Sequence, residues 1–397
     1  MVWVTMTTSP LVLRSGGGAT HDSVDELVRR LQPELPLNLI YPTRIRKKAK
    51  QFLTLFPGTV MYAVKCNPDK AIIQNLVKAG IQTFDVASIE EVRLIRKIAP
   101  RSRIHFMHTV KSREAIREAY FQHGVRVFVI DSSDELHKIV HETNLAPDLE
   151  LYVRLALPKN HSAAYDFSIK FGAPPPEAAG LLIEARLVAA RLGVMFHPGS
   201  QSIDPSAFRV GVKTAADVIE MAGVPVEALD VGGGFPVTYP GSQPPPLESY
   251  METITQAVKE YGLENLDLYC EPGRALVAEA GSLITRVELR KGEALFLNDG
   301  TYGGMVEASK WGGLRFPVRL IRAEDHKNDP KESLESFRFN GPTCDSLDMM
   351  EGPFLLPADV REGDWIEVSN MGAYSQSCRS NFNGFGKTKT VLLNSLS

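Results

Sequence analysis

The chain has 397 residues, enough for two domains, with 44% hydrophobic and 23% charged residues. Its net charge of −3 at pH 7 gives no basic face of the size that nucleic acid needs, and no run of about 18 apolar residues is present to span a membrane. The four cysteines, Cys66, Cys270, Cys344 and Cys378, form no CxxC pair. That spacing excludes zinc ribbons and thioredoxin-type redox motifs and fits the reduced thiols of a cytoplasmic protein.

The first twenty residues, MVWVTMTTSPLVLRSGGGAT, have no basic n-region, and Pro10 and Arg14 interrupt their apolar residues, so they do not read as a signal peptide. Gly16–Gly18 suggests a flexible lead-in, and residues 1–36 are expected to begin loosely and then join the C-terminal region. From Leu37 onward short apolar runs alternate with amphipathic stretches. The runs are Val60–Lys65, Thr83–Ser88, Ile104–His108, Val127–Asp131, Leu149–Ala156, Gly193–Gly199, Ala228–Gly234 and Leu266–Gly273. Continuous apolar runs of this length mark strands buried on both faces.

Helical patterns lie between the runs. DKAIIQNLVKAG carries apolar residues at helical spacing and ends on Gly80 as a C-cap. SIEEVRLIRKI opens on Ser88 with Glu91 three residues on, a capping box. SREAIREAYFQHG and DSSDELHKIVHET follow the same design. Eight strand–helix units over residues 37–280 predict an α/β fold, a (β/α)8 TIM barrel, with an open doubly wound sheet as the rival. After Gly281 the pattern changes to short alternating strands, with a turn at Lys291-Gly292. Residues 281–397 are therefore expected to form a C-terminal antiparallel β domain, with a charged surface loop at Glu324–Glu335.

In a TIM barrel the chemistry gathers at the C-terminal ends of the strands. There the sequence places Lys65, Asp85, His108, Arg154, His197, Ser200, Gly232–Gly234, Glu271 and Arg274. Each has a bland reading alone: a strand-end lysine snorkels to solvent, a lone histidine is a hydrogen-bonded core residue, and a glycine run is a turn. Convergence on one rim favours function. Bare glycine backbone after strand seven lets N–H groups approach an anion, Arg274 offers a planar fork, and Ser200 adds a hydroxyl. A phosphorylated ligand is expected there, beside a lysine. Lysine, phosphate cradle and a carboxylate such as Glu271 opposite a ring nitrogen form the set that pyridoxal phosphate requires.

YAVKCNP, FDVAS, SIKFG, FHPGSQ, DVGGGFP, CEPGR, GPTCDS and GAY occur in this order between Tyr62 and Tyr374, within a likeness that runs from roughly Leu37 to Gly386. Together they resemble the alanine-racemase-like (fold type III) pyridoxal-phosphate decarboxylases, and within them the ornithine/lysine decarboxylases of the bacterial branch. A lone GGGFP would be weak; eight ordered motifs are specific. The resemblance implies that Lys65 bonds the cofactor aldehyde, His197 stacks on its ring, Arg154 lies near its phenolic oxygen and Asp85 supports the lysine. It implies phosphate ligands at Ser200, Gly233, Gly234, Arg274 and Tyr374, and a pyridinium partner at Glu271. It further implies a homodimer with shared active sites, in which the GPTCDS loop enters the neighbouring subunit. There Cys344 protonates the product carbanion and Asp345 grips the distal ammonium of a diamino acid.

Two departures matter. The Tyr-Asp pair of eukaryotic-type ornithine decarboxylases is replaced by Lys310-Trp311, whereas Gly303–Glu307 fits the GGxxE pattern of the bacterial branch, so Glu307 is expected to share the ammonium with Asp345. Ser168–Gly172 lacks the family's arginine but keeps Lys170, for which an intersubunit ion pair is expected. The implied activity is decarboxylation of ornithine or lysine to putrescine or cadaverine in polyamine biosynthesis. Diaminopimelate decarboxylase is the nearest rival, but acidic Asp345 suits an ammonium rather than a second carboxylate. A non-catalytic regulator on the same fold is a further alternative.

Overall fold

The structure is a computed structural model that describes residues 11–12, 24–165, 170–323 and 333–393. Gly16–Gly18, Ser168-Ile169 and most of the charged loop from Glu324 lie outside the described residues. The chain divides into two compact units, one drawn from Arg46–Thr238 and Ser242–Val277, the other from Met1–Ile45, Tyr239–Gly241 and Ala278–Ser397.

The first unit is a closed barrel of eight parallel strands. Its strands are β1 (Thr59–Ala63), β2 (Thr83–Val86), β3 (Arg103–Phe106), β4 (Val127–Ile130), β5 (Glu150–Arg154), β6 (Arg191–Met195), β7 (Ala228–Asp230) and β8 (Asp267–Cys270). All eight fall within the apolar runs or overlap them, and β8 pairs with β1 to close the ring. The barrel excludes the open-sheet rival. Its interior is filled by Met61, Met107, Val127, Val129, Tyr152, Met195, Ala228 and Tyr269. Fully burying one such side chain contributes roughly 1.5–3 kcal/mol, which is why the runs are apolar on both faces.

The helices start where the sequence supplies caps. Ser88, Ser112 and Ser132 accept hydrogen bonds from the N–H groups of Glu91, Ala115 and Glu135. Glu91 completes its box one residue early, accepting from Ala87 N–H at 2.6 Å. Gly80 ends its helix at φ 114°, a left-handed conformation that Cβ-bearing residues resist.

The second unit is built on a long strand, Gly281–Lys291, which pairs antiparallel with Leu37–Ile40, Ala294–Leu297 and Trp365–Ser369. The expected barrel start at residue 37 therefore shifts. Leu37–Ile40 belongs to this sheet, because its inward residues Leu37 and Leu39 pack with Val24, Leu27, Val28, Ile284 and Trp365. The expected β domain is also mixed rather than purely antiparallel. Ala294–Leu297 runs parallel to Leu334–Asn340, and Lys389–Leu392 parallel to Leu37–Ile40. Among the described residues no helix is long and apolar enough to cross a membrane.

Candidate active site

The barrel mouth gathers the residues that end or follow its strands. Lys65 stands in a single 3-10 turn, Val64–Cys66, directly after β1 rather than on the strand itself. Its Nζ forms an ion pair with Asp85 of β2, whose carboxylate is 1% exposed while the lysine side chain is 41% exposed. A half-exposed ammonium on a buried carboxylate is held in one place yet reachable from solvent.

Past β6, Gly199 N–H donates to His197 Nδ1 at 3.1 Å, leaving the other ring nitrogen to carry the proton of the neutral ring. Burial first, then the positive charges of Arg154 and Lys65, hold His197 well below its usual range. The imidazole is therefore neutral. Arg154 closes β5, with its guanidinium 5.1 Å from the Phe171 ring centre. Desolvation lowers its proton affinity, while Glu271, Asp131 and Asp85 raise it.

Two carboxyls lie at the ends of neighbouring strands. Asp230 ends β7 and accepts from Gly232 N–H at 2.8 Å through Oδ1. Burial pushes it up to about 7. Glu271 follows β8, and burial, then the negative charges of Asp230 and Asp85, raise it well above the carboxylate range. Two carboxyls sheltered from water and sensing each other's charge titrate as a pair, both shifted toward the protonated form. The sequence reading passed over Asp230. Its signal was the one acidic residue in the apolar run ALDVGGG, placed by the period of two on the same barrel face as Ala228.

The glycine loop follows. A Cβ on Gly233 would meet Glu271 O at 2.5 Å and His197 Nε2 at 3.0 Å, so only bare backbone fits. Gly232 and Gly234 adopt φ 70° and 91°, which favours glycine. Arg274, 4% exposed, points Nη2 at Ser200 Oγ, 3.4 Å away. Lys65, Asp85, Arg154, His197, Ser200, Gly233, Gly234, Glu271 and Arg274 thus share one barrel end.

The remaining expected residues lie in the β unit. Cys344 is exposed on the loop between Leu334–Asn340 and Met349–Pro357, and Asp345 beside it accepts from the Tyr302 hydroxyl. That hydrogen bond, then one from Leu347 N–H, holds Asp345 below the usual carboxylate range. Glu307 stands in the turn Val306–Ala308, and Tyr374 adopts φ 54° after the strand Trp365–Ser369.

The barrel residues fit pyridoxal phosphate. Glu271 Oε1 is buried and has no hydrogen-bond partner among the described residues, so it can accept from a buried ring N–H. The glycine backbone, Ser200 and Arg274 form a cradle for a phosphate. A (β/α)8 barrel with this rim defines a vitamin B6 enzyme fold, and the chain belongs to the pyridoxal-dependent decarboxylases: residues 43–278 match the family's pyridoxal binding domain. Its cofactor is pyridoxal phosphate.

Among the proteins it is similar to is antizyme inhibitor 2 of Xenopus laevis, 33% identical over 365 residues, 85% of this chain and 76% of that one. Another is the lysine/ornithine decarboxylase of Selenomonas ruminantium, 30% identical over 344 residues, covering 84% and 83%. In three dimensions it resembles the Paramecium bursaria Chlorella virus arginine decarboxylase, with a TM-score of 0.82, 27% identity, and coverage of 93% and 99%.

Proposed function

We propose that this chain decarboxylates ornithine or lysine, releasing CO2 and the diamine putrescine or cadaverine for polyamine biosynthesis. The observation that carries the reading is the barrel-mouth set: Lys65 on buried Asp85, the buried carboxyl of Glu271 and the glycine loop at one barrel end. Bound pyridoxal phosphate supplies an aldehyde that condenses with amines and a ring that takes up the electron pair left when CO2 departs.

The chain's own residues do the rest. Lys65 Nζ offers the amine, held in place by its ion pair with Asp85. Glu271 would share a proton with the ring nitrogen, and His197, held neutral by burial, would pack against the ring without adding charge. Arg154 balances the phenolic oxygen. Ser200, Gly233, Gly234, Arg274 and Tyr374 hold the phosphate. The protein works as a homodimer in which the Gly341–Ser346 loop of one subunit reaches the barrel of the other. Exposed Leu347, Met349, Phe382 and Phe385 in the β unit support such a face. Cys344 Sγ then gives its proton to the α-carbon, and Asp345 with Glu307 holds the distal ammonium. Lys170 pairs across the interface.

The Selenomonas relative's name supports ornithine and lysine as substrates. The antizyme inhibitor relative favours a second reading, a regulator without turnover. The retained Lys65, Glu271, Arg274 and Cys344 support the enzyme instead.

One experiment separates them. Purified protein is loaded with pyridoxal phosphate, reduced with borohydride and mapped by mass spectrometry, while CO2 release is followed with ornithine, lysine, arginine and diaminopimelate. The expected result is cofactor mass on the Lys65 peptide, lost in Lys65→Ala, and CO2 from ornithine or lysine ahead of the other two. Cofactor mass without CO2 from any substrate would leave the regulator.

A further inference from the structure

The exposed thiol of Cys344 has a neighbour that the sequence did not single out. Asn383 lies in the turn Phe382–Gly384 and adopts φ 51°, ψ 13°, a left-handed conformation that asparagine tolerates better than most residues. Its Oδ1 accepts twice from one residue, from Cys344 N–H at 3.2 Å and from the Cys344 thiol at 3.3 Å. The first bond fixes the second. If the amide were flipped, its NH2 would face the Cys344 N–H, donor against donor, so the oxygen is the atom that meets the sulfur.

Neither partner is loosely mounted. Asp348, 2% exposed, anchors the thiol's loop. Its two oxygens accept from Thr301 N–H at 2.7 Å, Thr343 N–H at 3.0 Å and the Thr343 hydroxyl at 2.7 Å. The segment of Asn383 is tied to the same neighbourhood. Ser380 N–H and hydroxyl donate to Tyr302 O at 2.9 and 3.0 Å, and the Phe382 ring lies 4.7 Å from that of Tyr302. Arg379 bonds buried Asp299 at 2.6 Å. Tyr302 in turn donates to Asp345. Three loops are thus held in register, and the one contact among them that touches the reactive sulfur is made by Asn383.

We infer that Asn383 is the positioning residue for Cys344: its amide oxygen orients the thiol for proton delivery. This rests on the reading of Cys344 as proton donor given above. A carbonyl oxygen accepts from S–H, and with the Cys344 N–H held by the same atom the contact fixes the direction in which the thiol points. At delivery the proton moves from Sγ to the α-carbon, to which the electron pair left by CO2 and taken up by the ring returns to form the C–H bond. The S–H pair stays on sulfur, and water later restores the proton.

The test uses the cofactor-loaded enzyme and three variants. Asn383→Gly removes the oxygen and suits the left-handed backbone, so folding is spared. Asn383→Asp keeps an accepting oxygen at the same place, and Cys344→Ala serves as reference. The first readout is independent of turnover: the iodoacetamide alkylation rate at pH 8, read at the Cys344 peptide by mass spectrometry to separate it from exposed Cys378. Asn383→Gly should react about three- to tenfold faster than the parent, the range expected for one lost hydrogen bond, and Asn383→Asp no faster than the parent.

The second readout is steady-state kinetics. Asn383→Gly should lower kcat for diamine about tenfold with KM moving less than about twofold, and Asn383→Asp should restore most of kcat. Parental alkylation in Asn383→Gly overturns the hydrogen bond, and parental kcat overturns its use. Clean diamine production by Cys344→Ala would instead sink the donor reading, and the positioning role with it.

Discussion

At the barrel mouth, Asp85, Asp230 and Glu271 are each under 5% exposed, and burial is the largest force on the titration of Asp230 and Glu271. In the loops of the β unit, Cys344 and Asn383 are exposed, and Asp345 takes its shift from the hydrogen bond of Tyr302. One region tunes its groups by excluding water. The other tunes them by aiming donors and acceptors. A buried site tolerates no unpaired charge, so changes there should be large and electrostatic. A site of aimed hydrogen bonds should lose geometry first and fold second.

The largest effect is expected where the buried site is broken outright. Glu271→Gln keeps the shape but removes the acid that would exchange a proton with the ring nitrogen. We expect kcat to fall about 100-fold or more, in the range of a lost preorganised electrostatic contact, with the thermal transition little changed. A variant within threefold of parental kcat would mean that burial of this carboxyl serves the fold rather than the chemistry.

The matching break in the β unit is Asp348→Ala. It strands Thr301 N–H, Thr343 N–H and the Thr343 hydroxyl, three donors that the buried carboxylate now serves. A loss of about 3 kcal/mol is expected, or roughly a 5–10 °C fall in Tm. Hydrogen exchange should rise in residues 341–348 before the barrel strands respond. Uniform exchange across both units would show that the loops are not separately held.

The same contrast decides what could be read from the chain. Barrel strands were legible because burial on both faces forces continuous apolar runs, and the rim residues stand where those runs stop. Ser88, Ser112 and Ser132 announced their helices because a cap needs a hydroxyl at one fixed position. Leu37–Ile40 misled, since an apolar strand carries no mark of which sheet it joins; its partner Gly281–Ile284 lies more than two hundred residues away. Met349–Pro357 alternates buried and exposed along its length yet was not singled out, because Gly352 and Pro353 interrupt the pattern. Asn383 was invisible for a deeper reason. Its importance lies in one oxygen meeting a sulfur 39 residues earlier in the chain, and no local pattern encodes that meeting.

The smallest effect sharpens the comparison most, because it isolates burial. In the cofactor-free protein, Asp230 holds its proton to about pH 7, against 3.8 for the ordinary carboxyl. A carboxyl raised on folding adds stability that is complete below about pH 4 and is lost as pH rises through 7. The groups facing it are Glu271 and Asp85, which raise or share the proton, Lys65, which opposes them, and the Gly232 N–H, which favours the charge. Glu271 is raised in the same direction, so the pair titrates together. The Tm of the cofactor-free barrel should therefore fall between pH 4.5 and 7.5. Asp230→Asn removes one partner and relieves Glu271 of its nearest negative charge, so it should flatten the fall without abolishing it. Titrating groups outside this cluster are common to both proteins and cancel in the difference. Identical slopes for parent and variant would mean that Asp230 ionises freely where it lies, and the claim that the barrel mouth works by excluding water would fail at its most buried point.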